Sequence, residues 1–188
     1  MSITPGILKI TGPDSAPYAL GQPIHVYDHD VLLATLDPVP LRKSGTEIHI
    51  EAFKPTSIVR QERRHVGRLI FLEICAFVAE NFPQVQAISF IFSRQVDALG
   101  GGADQAAARS ETMSRIGALD VRIAPKADAR PGHFVVSGIW AYSERNYAAL
   151  MVVLEEERAL YRQSPIGTRR RGRGGVVTRL RHLVSRRA

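Results

Sequence analysis

The hydrophobic pattern changes period about a third of the way along the chain. Up to residue 53 the apolar residues fall in short runs, Ile7 to Ile10, Ile24 to Tyr27 and Val31 to Leu36. After these, Ile48, Ile50 and Ala52 alternate with His49, Glu51 and Phe53. Short runs and a period of two predict strands, three or four of them before any helix. Gly12-Pro13-Asp14 punctuates the first run, and Asp28-His29-Asp30 reads as the three-residue loop of a hairpin. The stretch Asp37-Pro38-Val39-Pro40 interrupts the ladder, because proline has no N–H to donate.

From Val66 to Phe82 the period becomes helical. Apolar residues at 66, 69, 70, 74, 77 and 78 form a core-facing stripe that Phe71 and Leu72 widen, and Asn81-Phe82-Pro83 ends it. Ala87 to Phe92 predicts a buried strand, and Gly100-Gly101-Gly102 a break. Asp104 is placed to cap a helix reaching Ile116, with Gly117 as its stop. Leu119 to Ile123 and His133 to Tyr142 predict two antiparallel strands, and Asn146 to Tyr161 a last helix with Glu155, Glu156 and Glu157 on its outer side. This order is that of an α+β fold with a mixed, mainly antiparallel sheet and helices packed on it, without regular βαβ alternation.

Composition bounds what such a fold does. Of 188 residues, 45% are hydrophobic and 23% charged, enough for a sizeable core. The longest apolar run, Leu69 to Val78, contains Glu73 and is far shorter than the ~20 residues of a membrane span. The first six residues have no basic stretch ahead of an apolar one, and the single Cys75 has no partner for an intrachain disulfide. Together these predict a cytoplasmic, reducing compartment. Cys75 itself reads as a buried thiol, and Asp28-His29-Asp30 as a turn, so no metal site is expected.

Charge divides the chain in two. Residues 169–188 hold eight arginines and no acid, against a net charge of +7 for the whole, so residues 1–168 carry a net −1. Residues 1–165 are therefore expected to form one domain, and residues 166–188 a basic tail. In the tail, Val176, Val177, Leu180, Leu183 and Val184 fall at the spacing of an amphipathic helix. Nucleic acid, an anionic membrane or a protein is the partner such a tail would take, the phosphates being neutralised without sequence reading, and the other reading is a disordered solubilising tail.

The stretch that carries candidate chemistry is a strand over 48–53, a polar turn and a helix starting near Gly67. Arg60, Arg63, Arg64 and Arg68 cluster at the helix entrance. A helix N-terminus offers unpaired N–H groups and the positive end of its dipole to an anion, and a glycine permits close approach. Two other readings compete with a phosphate site. One is a solvated basic turn; the other is an unbroken helix from Ser57 to Phe82, capped by Thr56, with Gly67 in its interior.

Arg64-His65-Val66-Gly67-Arg68-Leu69 resembles the acetyl-CoA pyrophosphate loop of the GCN5-related (GNAT) acetyltransferases: Arg or Gln, two residues, Gly, one residue, Gly or Ala. Arg64 and Gly67 match, and Leu69 does not. Over residues 45–142 the order of elements is also similar, with Ile116-Gly117-Ala118 where that family ends its next helix. Met113 stands where the family often has a tyrosine acid. The resemblance implies an acyltransferase with acetyl-CoA or another acyl-CoA as donor and an amine or hydroxyl as acceptor. Arg63, Arg64, His65, Val66, Gly67 and Arg68 would hold the cofactor. The same resemblance places a base on the strand before the loop, which points to Glu51, with His49 as the second candidate; Tyr142 reads as a core or edge aromatic, the alternative being a proton donor to the departing thiolate. The rival reading is a non-catalytic adaptor that binds a protein through the domain and nucleic acid or membrane through the tail.

Overall fold

The computed structural model describes residues 6–51, 53–61, 66–93, 102–127 and 133–163. The expectations for Arg63, Arg64, His65, Gly100, Gly101 and the tail lie outside them. Six short strands precede the first long helix: β1 Lys9–Thr11, β2 Ile24–Asp28, β3 Val31–Leu36, β4 Leu41–Arg42, β5 Glu47–Ile50 and β6 Lys54–Pro55. Then come α1 Ser57–Gln61, α2 Gly67–Asn81, β7 Ala87–Ser93, α3 Gly102–Arg115, β8 Leu119–Pro125, β9 Phe134–Ala141 and α4 Glu144–Arg162.

The α+β arrangement is mixed and mainly antiparallel, and its strands divide between two sheets. One is ordered β1-β2-β3-β6, the other β4-β5-β7-β9-β8. In the second sheet only β5 and β7 run parallel, joined through α2 as a βαβ crossover. The β2–β3 hairpin has a two-residue loop, His29-Asp30, where the sequence suggested three. Asp28 stays in the ladder because the Tyr161 hydroxyl of α4 donates to its carboxylate at 2.6 Å.

Register sorts the side chains of the second sheet. Ile48, Ile88 and Trp140 lie side by side, and so do Ile50, Phe90 and Gly138. This face meets the helices: Phe71 of α2 packs edge-on against Phe90 and Phe92, and the Trp140 indole donates to Ile116 O at 2.9 Å. Gly138 is required here, since a Cβ on it would come within 2.8 Å of Phe90 Cζ.

Helix α2 is buried over almost its whole circumference, from Leu69 to Ala76 without interruption. A helix buried all round must find partners for its polar groups. Glu73, which breaks the apolar run, finds Arg158 of α4 and the backbone N–H of Ile7. Helix α4 is capped by Ser143, which accepts from the Asn146 N–H. Asp104 lies inside the first turn of α3 and does not precede it, because that helix already starts at Gly102. The expected stop holds: Gly117 has φ +80° and donates its N–H to Ser114 O. Among the described residues no helix is long and apolar enough to cross a membrane.

Candidate functional site

Strands β5 and β7 pair from Glu47/Ala87 to Ile50/Phe90 and then part. Past that point Ile91, Phe92 and Ser93 pair with β9 on one side only, while the chain after β5 crosses to the other sheet, where Lys54 and Pro55 meet Thr35 and Ala34. Among the described residues no ladder joins β7 to the chain on the β5 side past this point. Phe53 stacks on Phe92 across the gap, with ring centroids 5.6 Å apart, and Phe71 closes it from the helix side. Ligands of open α/β sheets bind at such places, outside the carboxyl ends of parallel strands.

Helix α2 begins at this same end. Its first residue is Gly67, and Val66 supplies no side-chain cap. Among the described residues the first bond of the helix runs from Ile70 N to Val66 O, and in a helix the amides ahead of that bond point toward its N-terminal end. Among the described residues nothing lies within 4 Å of a Cβ built on Gly67. Val66 is a turn residue that precedes α2, so the helix beginning at Ser57 does not run unbroken into α2. Arg68 is held by α4, its Nη2 paired with Glu157 at 2.9 Å. Glu157 is half buried, which raises its carboxyl above the ordinary value although Arg68 opposes the rise.

The two candidate bases lie together at the mouth of the divergence. Glu51 is exposed, with 71% of its side chain accessible, and its Oε1 is 3.5 Å from Nε2 of His49, which is buried. Residues that sequence reasoning missed continue the line inward. His49 Nδ1 is 2.8 Å from Ser89 Oγ, and that hydroxyl donates to Glu47 Oε1 at 2.7 Å. Lys43 pairs with the other oxygen of Glu47 at 2.6 Å. Burial pushes the Glu47 carboxyl up, but the Lys43 and Ser89 hydrogen bonds, with the charges of Lys43 and Arg42, outweigh it and hold the group below its usual value. Burial and the Arg42 charge push the His49 imidazole down, against the pull of Glu51 and Glu47. His49 is therefore a neutral imidazole, and its buried Nε2 has no hydrogen-bond partner.

Glu47 shares the period-two alternation of His49 and Glu51 and was visible in principle. Ser89 lies forty residues from His49, and only the pairing of His49 with Ser89 across the parallel strands brings it in.

Other candidates lie elsewhere. Tyr142 donates its backbone N–H to Gln86 O, beside the first residues of β7, whereas the divergence opens past Phe90. At about 3.3 Å per residue the two are on the order of 15 Å apart along the sheet. Met113 is buried. Cys75 is fully buried in α2, which drives its thiol pKa well up and removes the thiolate needed of a nucleophile. Asp28 is occupied by Tyr161 and His29, and among the described residues no group of three His, Cys, Asp or Glu is placed to hold a metal.

No family model and no curated protein sequence matches the chain. Several solved structures do. A protein described as an acetyltransferase of the GNAT family from Desulfovibrio desulfuricans is 14% identical with TM-score 0.37, over 64% of this chain and 68% of its own. The CoA-dependent acyl-homoserine lactone synthase MesI is 9% identical with TM-score 0.42, over 77% and 76%. Nourseothricin acetyltransferase is 9% identical with TM-score 0.36, over 72% and 83%.

Proposed function

We propose that the protein transfers an acyl group from an acyl-CoA to an amine or hydroxyl acceptor at the divergence of β5 and β7. The observation that carries this reading is the meeting, at the carboxyl end of the parallel pair, of the free edge of β7, the start of α2 at Gly67 and the exposed carboxylate of Glu51. A phosphate-bearing donor suits a helix N-terminus where a side chain would otherwise intrude, and Gly67 places none there. Val66, Gly67 and Arg68 would serve through backbone amides, and Arg63, Arg64 and His65 through side chains. The edges of Ile91 to Ser93 suit the amides of the donor's linear arm, as a strand edge suits an added strand.

When bound, the donor would supply a thioester carbonyl as electrophile. Holding it beside the acceptor supplies most of the acceleration, and proton removal by Glu51 the rest. The test is a thermal shift of the full-length protein with acetyl-CoA and with free CoA, run beside Gly67→Glu and Arg64→Ala. Wild type should melt higher with ligand, by an amount that grows with concentration; Gly67→Glu should not respond, and Arg64→Ala should respond less. All three carry the arginine tail, so its nonspecific attraction to the nucleotide cancels. Unchanged melting of wild type at saturating CoA would sink the reading.

A further inference from the structure

Glu51 alone suffices as an exposed base, yet behind it three further polar side chains are aligned in the sheet. Glu47, His49 and Ser89 are each less than 10% exposed. They occupy neighbouring positions on β5 and β7, so the line His49, Ser89, Glu47 is fixed by strand register, and Glu51 follows one residue past the end of β5.

The direction of every proton in the line follows from chemistry. A serine hydroxyl has one proton to give. Glu47, ionised and paired with Lys43, can only accept, and its Oε1 at 2.7 Å takes that proton in preference to Ile48 O at 3.4 Å. Ser89 Oγ is left as acceptor toward His49, so the short contact with Nδ1 requires a proton on Nδ1. A neutral imidazole with Nδ1 protonated carries its lone pair on Nε2. Nε2 is the buried atom without a hydrogen-bond partner, and it faces Glu51 at 3.5 Å.

We infer, on the basis of the acyl-transfer reading, that Glu47 and Ser89 are positioning residues that hold His49 in the Nδ1-protonated tautomer, so that Nε2 stores the proton Glu51 removes from the acceptor. Glu51 takes the proton from the acceptor N–H or O–H as that atom bonds to the acyl carbon and the carbon–sulfur bond breaks. The proton then moves from Glu51 to Nε2. The imidazolium so formed donates through Nδ1 to Ser89, whose hydroxyl points to the negative Glu47. Afterwards the proton returns through Glu51 to the released thiolate or to water, and all groups regain their starting states. The charged groups facing His49 set the balance: Arg42 and burial oppose the imidazolium, while Glu47 and Glu51 favour it. The store is therefore empty at rest and filled only transiently.

The test is the tautomer of His49 in the ligand-free, full-length protein labelled with 15N-histidine, its signals assigned by their loss in His49→Gln. Wild type should show the Nδ1-protonated form from pH 6.5 to 8, Ser89→Thr should keep it, and Ser89→Ala should mix or reverse it. An Nε2-protonated wild type, or a Ser89→Ala spectrum like that of wild type, overturns the assignment. A second readout is the pH profile of thiol release from acetyl-CoA with water as acceptor. Wild type should rise through one ionisation that Ser89→Ala displaces, and His49→Gln should lose that limb with a rate at least ~10-fold lower. Superimposable profiles would overturn the relay. The tautomer needs no ligand, so a failure of CoA to bind would remove the transfer reading while the spectrum still decides the positioning of His49.

Discussion

Arg158 of α4 meets Glu73 of α2 face to face, its Nε and Nη2 donating in parallel to the two carboxylate oxygens at 2.8 Å each, with both side chains 2–3% exposed. The third guanidinium nitrogen, Nη1, reaches Glu155 at 2.6 Å, and Ile7 N–H also donates to Glu73. The fork explains how one carboxylate sits in the middle of an all-buried helix. It raises the Arg158 pKa further, against burial, so the guanidinium is charged at every working pH.

Removing one partner leaves the other charge buried alone. Glu73→Ala or Arg158→Ala should lower the unfolding free energy by about 3–5 kcal/mol, read by urea denaturation. Replacing both, as Glu73→Leu with Arg158→Met, should recover most of that loss. A double variant as weak as the singles would mean that the packing around the pair, and not the uncompensated charge, sets the cost.

His49 should make stability depend on pH. Its folded-state pKa is depressed below the unfolded value of about 6.5, so the unfolded chain binds the proton more readily. The contribution is complete above about pH 6.5 and falls as the pH drops toward the folded pKa. The stability difference between wild type and His49→Gln should therefore shift against wild type on going from pH 7 to pH 5.5. A constant difference would place the imidazole in ordinary solvent.

Gly138 is the point at which the sheet is most tightly filled. A methyl there would press on Phe90 Cζ and come within 3.1 Å of Leu119 O. Gly138→Ala should cost about 1–3 kcal/mol in denaturant titrations.

At the start of α2 the neighbours Gly67 and Arg68 should behave oppositely to their charges. Gly67→Ala meets no described residue within 4 Å and should alter stability by no more than about 1 kcal/mol. Arg68→Met removes a guanidinium already held by Glu157, so the thermal shift given by CoA should change by less than about twofold in dissociation constant, under ~0.5 kcal/mol. A large loss of the CoA response in Arg68→Met would show that the pair opens to bind the nucleotide.

Much of the architecture was legible from residue order, because helices and strands follow from local period. The 66–82 stripe became α2 within a residue at each end, 87–92 became β7, and Gly117 ended α3 as its freedom at positive φ suggests. The position of His49 on a strand was legible for the same reason, but the strand expected to reach Phe53 ends at Ile50, because the chain crosses to the other sheet, and Glu51 lies just past it. Local period says nothing about which faces are covered, so His49 could equally have faced water. Nor could it say that Glu73 would find Arg158, eighty-five residues away, or that Arg68 would pair with Glu157. Ser89 joined Glu47 and His49 because β5 and β7 run parallel in one register, and a shift of one residue would have turned Ser89 to the helix face. The sequence by itself determined the elements, since propensity and period act over a few residues. Tertiary structure decided the site, since burial, register and the meeting of distant charges are set only when the elements pack.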